Sequence, residues 1–194
     1  LETVDPTVSF SEYAQANPYY RKYNSAGEIE KYLYYPEDGI NDSSVSNPLW
    51  NAHLNNYNKG QEFGFTNNFI IEWFATHDFR LRAKFGLTKS DDTSDVRLSP
   101  LHSQFDDVSD TEKGLYTHTQ TKGLVYEGDL AATFGRLFAD KHMVNAVAGF
   151  NFSSTKRENY GFSANGFTDD QFDSPSFANS YPNGESPDYS RTEK

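Results

Sequence analysis

The sequence predicts an all-β chain: antiparallel strands and hairpins forming a segment of a large transmembrane β-barrel, with long extracellular loops. Three observations carry this. Apolar and polar residues alternate over stretches of strand length, as they must where successive side chains point to opposite faces. These stretches come in pairs joined by short links, and long polar segments separate the pairs, which is the short-turn, long-loop order of outer-membrane barrels.

Residues 1–62 carry turn punctuation, with Asn-Pro at 17–18 and 47–48, Pro36 and Gly39. Only residues 28–35 read as a short strand or hairpin arm. The first long strand is expected at about 63–75, where Phe69, Ile71 and Trp73 share odd parity and Asn68 and Glu72 hold even positions, interrupted by Ile70 and Phe74. The second, at about 79–89, alternates without error. Leu81, Ala83, Phe85 and Leu87 point one way, and Arg80, Arg82, Lys84, Gly86 and Thr88 the other. Only Ala75 to Asp78 lies between them, so they form a hairpin, and pairing Trp73 with Leu81, Ile71 with Ala83 and Phe69 with Phe85 gathers the apolar residues on one face.

A polar loop is expected over 90–114, rich in aspartates from Asp91 to Asp110. Strands at about 115–135 and 142–154 repeat the pattern. Leu124, Tyr126, Leu130, Ala132 and Phe134 alternate with Val125, Glu127, Asp129, Ala131 and Thr133, while Val144, Ala146, Ala148, Phe150 and Phe152 share a parity of their own. Pairing Phe134 with Val144, Ala132 with Ala146 and Leu130 with Ala148 again gives one apolar face. Residues 155–194 read as a further loop rich in Asn, Ser, Pro, Gly and acids. Strands of about ten residues suit the crossing of a bilayer, and aromatics gather near the strand ends: Trp73, Phe74 and Phe79 by one turn, Phe134 and Phe138 by the other.

Composition agrees without deciding. Aromatic residues make up 16% of the chain, and no apolar run is long enough for a transmembrane helix. A formal net charge of −11 disfavours nucleic acid, whose affinity comes from neutralised phosphates. Zero cysteines exclude disulfides, thiolate metal sites and cysteine nucleophiles. Leu1 opens no signal peptide, and two hairpins cannot close a barrel, which takes at least about eight strands. The chain therefore reads as a fragment. The alternative is a soluble β-sandwich module, of the carbohydrate-binding kind, in which Leu81, Phe85, Ala146 and Phe150 would be buried by protein.

Several segments resemble the barrel region of SusC/RagA-type TonB-linked outer-membrane proteins of Bacteroidetes. They are Asn17-Pro18-Tyr19-Tyr20-Arg21-Lys22-Tyr23, Asn47-Pro48-Leu49-Trp50-Asn51-Ala52, Phe65-Thr66-Asn67-Asn68-Phe69, Glu72-Trp73 and Leu81-Arg82. The resemblance runs on through Leu98-Ser99-Pro100, Phe105-Asp106-Asp107, His142 to Gly149, Gly166-Phe167, Asp169-Asp170-Gln171-Phe172 and Pro175-Ser176-Phe177-Ala178-Asn179. It implies an internal slice of a large barrel in the cell outer membrane, with residues 1–62 and 155–194 as extracellular loops and 63–154 as two membrane-spanning hairpins. It implies import of oligosaccharides or peptides with a SusD-like surface lipoprotein. The plug and the TonB-contacting segment would belong to a part of the parent outside this slice.

Candidate contact residues for a ligand or partner are Tyr19, Tyr20, Tyr34, Tyr35 and Trp50, whose flat faces and polar tips suit sugar rings or a capping protein, or packing of the loop upon itself. Asp169, Asp170 and Asp173, with Asp106, Asp107 and Asp110, raise calcium as a question. Neither cluster has the spacing of a calcium loop, and both read as solvated acids. The five histidines are scattered singly, and no constellation of nucleophile, base and oxyanion donors is readable, so the expectation is no enzyme, no metal and no cofactor. Arg80, Arg82 and Lys84, facing Glu127 and Asp129, read as a cross-strand ladder or as cations steering an anionic substrate.

Overall fold

The computed structural model describes residues 2–5, 10–16, 18–34, 45–182 and 184–194. The chain is all-β and antiparallel. Four long strands dominate: β4 (Tyr57–Thr76), β5 (Phe79–Leu98), β6 (Leu115–Phe138) and β7 (His142–Asn165). With β1 (Glu2–Asp5) and β8 (Asp188–Glu193) they form one open six-stranded sheet in the order β1-β4-β5-β6-β7-β8. A second small sheet pairs β2 (Tyr32–Tyr34) with β3 (Val45–Ser46), and two short α-helices, α1 (Phe10–Gln15) and α2 (Pro48–His53), with 3-10 turns at Ser103–Phe105 and Pro175–Phe177, complete the regular structure among the described residues.

The strands run well past the expected bounds. Position 89 was to end β5 and 154 to end β7, yet the strands continue to Leu98 and Asn165. Lys89-Ser90-Asp91-Asp92 is polar on both faces, so alternation vanishes there while the ladder continues. The expected loops over 90–114 and 155–194 shrink accordingly, and β8 pairs back onto β7 through reciprocal bonds between Thr155 and Lys194. Residues 1–62 likewise hold strand: Glu2–Asp5 pairs with Asn58–Gln61 at the start of β4.

The chain comprises two compact units. One comprises Leu1–Gln61, Thr93–Thr119 and Gly161–Asp188; the other comprises Glu62–Asp92, Gln120–Tyr160 and Tyr189–Lys194.

In the second unit the contacts fix which residues share a face. Thr66 meets Thr88 and Glu72 meets Arg82, both pairs falling in the register expected for the first hairpin. The second hairpin differs. Gly135 lies beside Asn145, Gly128 beside Phe152 and Thr121 beside Asn159, a register two residues from the expected one, so that Phe134 faces Ala146 rather than Val144. The cause is the turn. Ala139 and Asp140 both take positive φ, 51° and 54°, and Lys141 N–H donates to the Phe138 carbonyl at 3.1 Å, a tighter reversal than the link inferred from Gly135 to Lys141. Two left-handed residues match the twist of paired strands. A shift of two keeps every side chain on its own face, so the apolar set survives.

Across β5 and β6, Gly86 and Lys84 lie beside Glu127, and Ser90 lies beside Gly123. Even positions of β5 thus share a face with odd positions of β6. It follows that Phe69, Ile71 and Trp73, then Leu81, Ala83 and Phe85, then Leu130, Ala132 and Phe134, then Val144, Ala146 and Phe150 occupy a single face of four strands. Phe85 is 45% exposed and Phe150 65%. Ala146 is exposed and Leu81 half-buried. The burial that a sandwich demands is therefore missing. The opposite face carries the ion pairs Glu72–Arg82 and Lys84–Glu127, at 3.5 and 3.9 Å, so one rung of the expected ladder, Lys84–Glu127, forms, while Arg82 turns to Glu72 on the other neighbouring strand. Gly128 is required where it stands, since the Phe152 ring occupies the space that a Cβ would take.

Candidate functional site

The first unit buries polar groups beside a small apolar set of Leu33, Tyr116, Ala164 and Phe167. Its most buried side chains are Arg97, Phe167, Asn47 and Ser99. Asn47 shows how sequence becomes architecture. As N-cap of α2, with Pro48 following where a missing N–H costs nothing, its side-chain oxygen accepts from Leu49 N–H at 3.1 Å. Its amide nitrogen donates to the carbonyls of Lys22 at 3.1 Å and Glu30 at 2.7 Å. One side chain thus both starts a helix and ties residues 22–30 to it.

The other face of α2 grips residues 99–103. Asn51 donates to Ser103 Oγ at 2.9 Å and accepts from Ser103 N–H at 3.1 Å, while Trp50 Nε1 donates to the Leu101 carbonyl at 3.1 Å. Asn56 accepts from Ser99 N–H at 2.7 Å and donates to the Asn51 carbonyl at 2.7 Å. The Asn-Pro-Leu-Trp-Asn and Leu-Ser-Pro segments that stood out in the sequence are thus the two halves of one hydrogen-bonded clamp. Asn47→Ala is expected to destabilise this clamp by roughly 2–3 kcal/mol, from a lost cap and two stranded carbonyls. Amide exchange across residues 22–30 and 47–53 reads it, and Asn47→Asp, which keeps the cap acceptor but sets a buried carboxylate oxygen against two carbonyls, should cost at least as much.

Arg97 is the centre of a second knot and is fully buried. Its guanidinium donates to the carbonyl of Asn55 and, at 2.9 Å each, to those of Asp170 and Phe172, and it lies 6.0 Å from the centroid of the buried Phe167 ring. The Asp170 carboxylate in turn accepts from Asn55 N–H at 3.1 Å. Gly166, at φ 79°, permits the turn into Phe167 where the Thr111 carbonyl leaves no room for a Cβ. Nearby in the same unit, Asp95 Oδ1 accepts from Tyr116 OH at 2.5 Å and meets His118 Nδ1 at 2.7 Å. Burial and the Asp95 charge push the Tyr116 hydroxyl far up, so it stays a donor.

The principal concavity of this unit is a cleft of about 760 Å³ lined by Glu12, Lys31, Tyr32, His102, Asp106 and Asp107, among others. Lys31 pairs with Asp106 and its ammonium lies 5.9 Å from the Tyr32 ring centroid. Of the expected contact residues, Tyr19, Tyr20 and Trp50 do not line it. Tyr19 is 92% exposed, Tyr20 half-buried, and Trp50 is committed to the clamp. Tyr35 and the side chain of Tyr34 lie outside the described residues. Instead Tyr32, one of the clustered tyrosines of the first segment, and His102 supply the aromatic surface of the cleft, and nothing local marks His102, because its neighbours come from distant positions. The acids raised for calcium have other uses: Asp106 holds Lys31, Asp110 holds Lys113 at 2.7 Å, and Asp170 holds Asn55.

Burial, offset only in part by Glu12, holds the His102 imidazole below its ordinary 6.5, and its Nδ1 accepts from Gln104 N–H at 3.2 Å. With the folded value depressed, the unfolded chain takes up the proton first. The contribution of His102 is therefore complete above about pH 6.5 and is lost as pH falls below it. Amide protection over residues 99–106 should weaken on that acid side, and His102→Asn, which preserves an acceptor, should flatten the dependence.

No family model matches the chain, and no curated protein matches it. Solved structures do. A chain described as "Structure of the RagAB peptide transporter" superposes with a TM-score of 0.65 at 14% identity, covering 90% of this chain. A second, "Structure of the RagAB peptide importer in the 'closed-closed' state", gives 0.62 at 15% identity over the same share. The present chain spans 18% of the length of each. At such identity the likeness is one of fold: an open antiparallel sheet similar to a slice of those larger chains.

Proposed function

We propose that this chain forms part of the wall and the external loops of a SusC-like TonB-dependent transporter in the outer membrane. The observation that carries the reading is the apolar face shared by four adjacent strands, exposed to the surroundings and backed by a mixed face that carries the ion pairs together with Ile70, Phe74, Met143 and Val147. Such a band on a protein in water is a liability, whereas in a bilayer it is the lipid contact. On this reading the polar face borders the lumen. The polar first unit stands in water, where a network rich in backbone carbonyls and asparagine can form without meeting lipid.

The cargo is an oligosaccharide or a peptide, admitted together with a SusD-like lipoprotein and powered through TonB, which engages a part of the transporter outside this chain. Chains described as a peptide importer share this fold, so peptides are the first cargo to test. The cleft with Lys31, Tyr32 and His102 offers mixed charge and ring surface that suits either cargo. The chain serves as scaffold and contact surface, with no catalytic part.

The test is a cysteine scan of the protein bearing this chain, embedded in its own membrane. This stretch has no cysteine of its own, so single substitutions along β5 and β7 report cleanly. Spin labels at Leu81, Ala83 and Phe85 should be reached by oxygen from lipid, and those at Arg82, Lys84 and Gly86 by water-soluble nickel chelate, alternating residue by residue. Uniform access of the chelate along the strand would refute membrane insertion. Uptake of labelled peptides and oligosaccharides by cells with and without the protein then separates the two cargo classes.

A further inference from the structure

The apolar face ends in a row of cations. On β5 Lys89 follows Leu87, on β6 Lys122 precedes Leu124, and on β7 Lys156 lies beyond Phe152, each at the parity of the apolar set. The three line one cleft of about 230 Å³, with Leu124 among its walls. Lys89 and Lys122 form no ion pair among the described residues. Glu158 also lines the cleft and meets Lys156 at 3.1 Å, while Arg191, held by Glu193 at 2.7 Å, lies 3.8 Å from the same carboxylate; one carboxylate against three lysines leaves positive charge in excess. Asp91, next along β5 on this face, accepts from the Gln120 amide at 3.0 Å.

We infer that Lys89, Lys122 and Lys156 form a site for the phosphate of an anionic membrane lipid whose acyl chains lie along the apolar face. The inference rests on the reading that this face meets lipid. Three ammonium groups converging on one cleft repel each other until an anion enters, and an ammonium binds phosphate as a compact point charge. The lysine stems lie along apolar wall while their heads reach the headgroup level. The tight turns at 77–78 and 139–141 mark the opposite ends of the same strands, and short turns belong to the periplasmic side. The lysines then sit at the outer leaflet, where the recognised lipid is a phosphorylated glycolipid.

The experiment uses the whole protein that bears this chain. It is reconstituted into phosphatidylcholine vesicles with or without diphosphoryl lipid A and re-extracted in detergent, and the retained lipid A is counted by mass spectrometry. Native protein should retain it, and the triple variant K89Q/K122Q/K156Q should retain roughly 100-fold less, about fivefold per lysine. The corresponding triple arginine variant should retain it, separating charge from folding. Equal retention by native and glutamine variants overturns the inference, as does full displacement by inorganic phosphate at matched concentration, which would make the site one for free phosphate. Labelling alternation along β5 is read in the same vesicles. If alternation holds while retention is equal, this inference alone fails; if alternation is missing in native protein, the membrane reading fails with it.

Discussion

Arg97→Ala is expected to unfasten the first unit at a cost of roughly 3–5 kcal/mol, a large share of the stability of an ordinary domain. The guanidinium is the shared donor to three carbonyls, those of Asn55, Asp170 and Phe172, and it backs the buried Phe167 ring. Truncation strands those acceptors and opens a cavity beside Phe167. The loss should be local. Amide exchange over residues 55–56 and 166–172 should speed by two orders of magnitude or more, while the strands of the second unit keep their protection. Arg97→Lys should recover only part, because one ammonium on a flexible stem cannot span acceptors that a planar fork reaches together. Unchanged exchange in the alanine variant would mean that the loops are held chiefly by the Asn47, Asn51 and Asn56 clamp.

Nothing in the sequence near Arg97 announces this role. Its partners lie 42, 73 and 75 positions away, so neither spacing nor periodicity could expose it. The same holds for His102 in the cleft. What was legible is what a strand writes into its own residues. Parity alone assigned Phe69, Leu81, Leu130 and Val144 to apolar faces, and the cross-strand contacts join those faces into one. Parity fell silent where both faces are wet, which is why Ser90–Leu98 and Thr155–Asn165 read as loop although they are strand. The offset in the second hairpin has a different cause. Ala139 adopts a left-handed conformation that alanine seldom takes, so no turn signal fixed the point of reversal. Aromatic content misled in its own way. Trp50 looked available for a ligand, but its indole N–H is spent on the Leu101 carbonyl, an arrangement visible only once α2 and residues 99–103 are side by side.

Neighbouring residues on opposite faces supply the sharpest contrast for the second unit. Phe150, exposed, belongs to the apolar face, and Asn151 borders the polar cleft formed by Arg82, Lys84, Glu127 and Asp129. In a bilayer, Phe150→Arg should destabilise by roughly 2–4 kcal/mol if the position lies near the midplane, because a guanidinium there must be dragged toward the interface. Asn151→Arg should cost less than about 0.5 kcal/mol, since a charge beside acids in a wet lumen keeps its solvation. Urea unfolding from vesicles, followed by Trp73 fluorescence, measures both. In water the order would reverse: arginine in place of an exposed phenylalanine relieves an apolar patch and leaves stability nearly unchanged. The sign of the difference between two adjacent positions therefore reports which solvent the four-strand face has been shaped to meet.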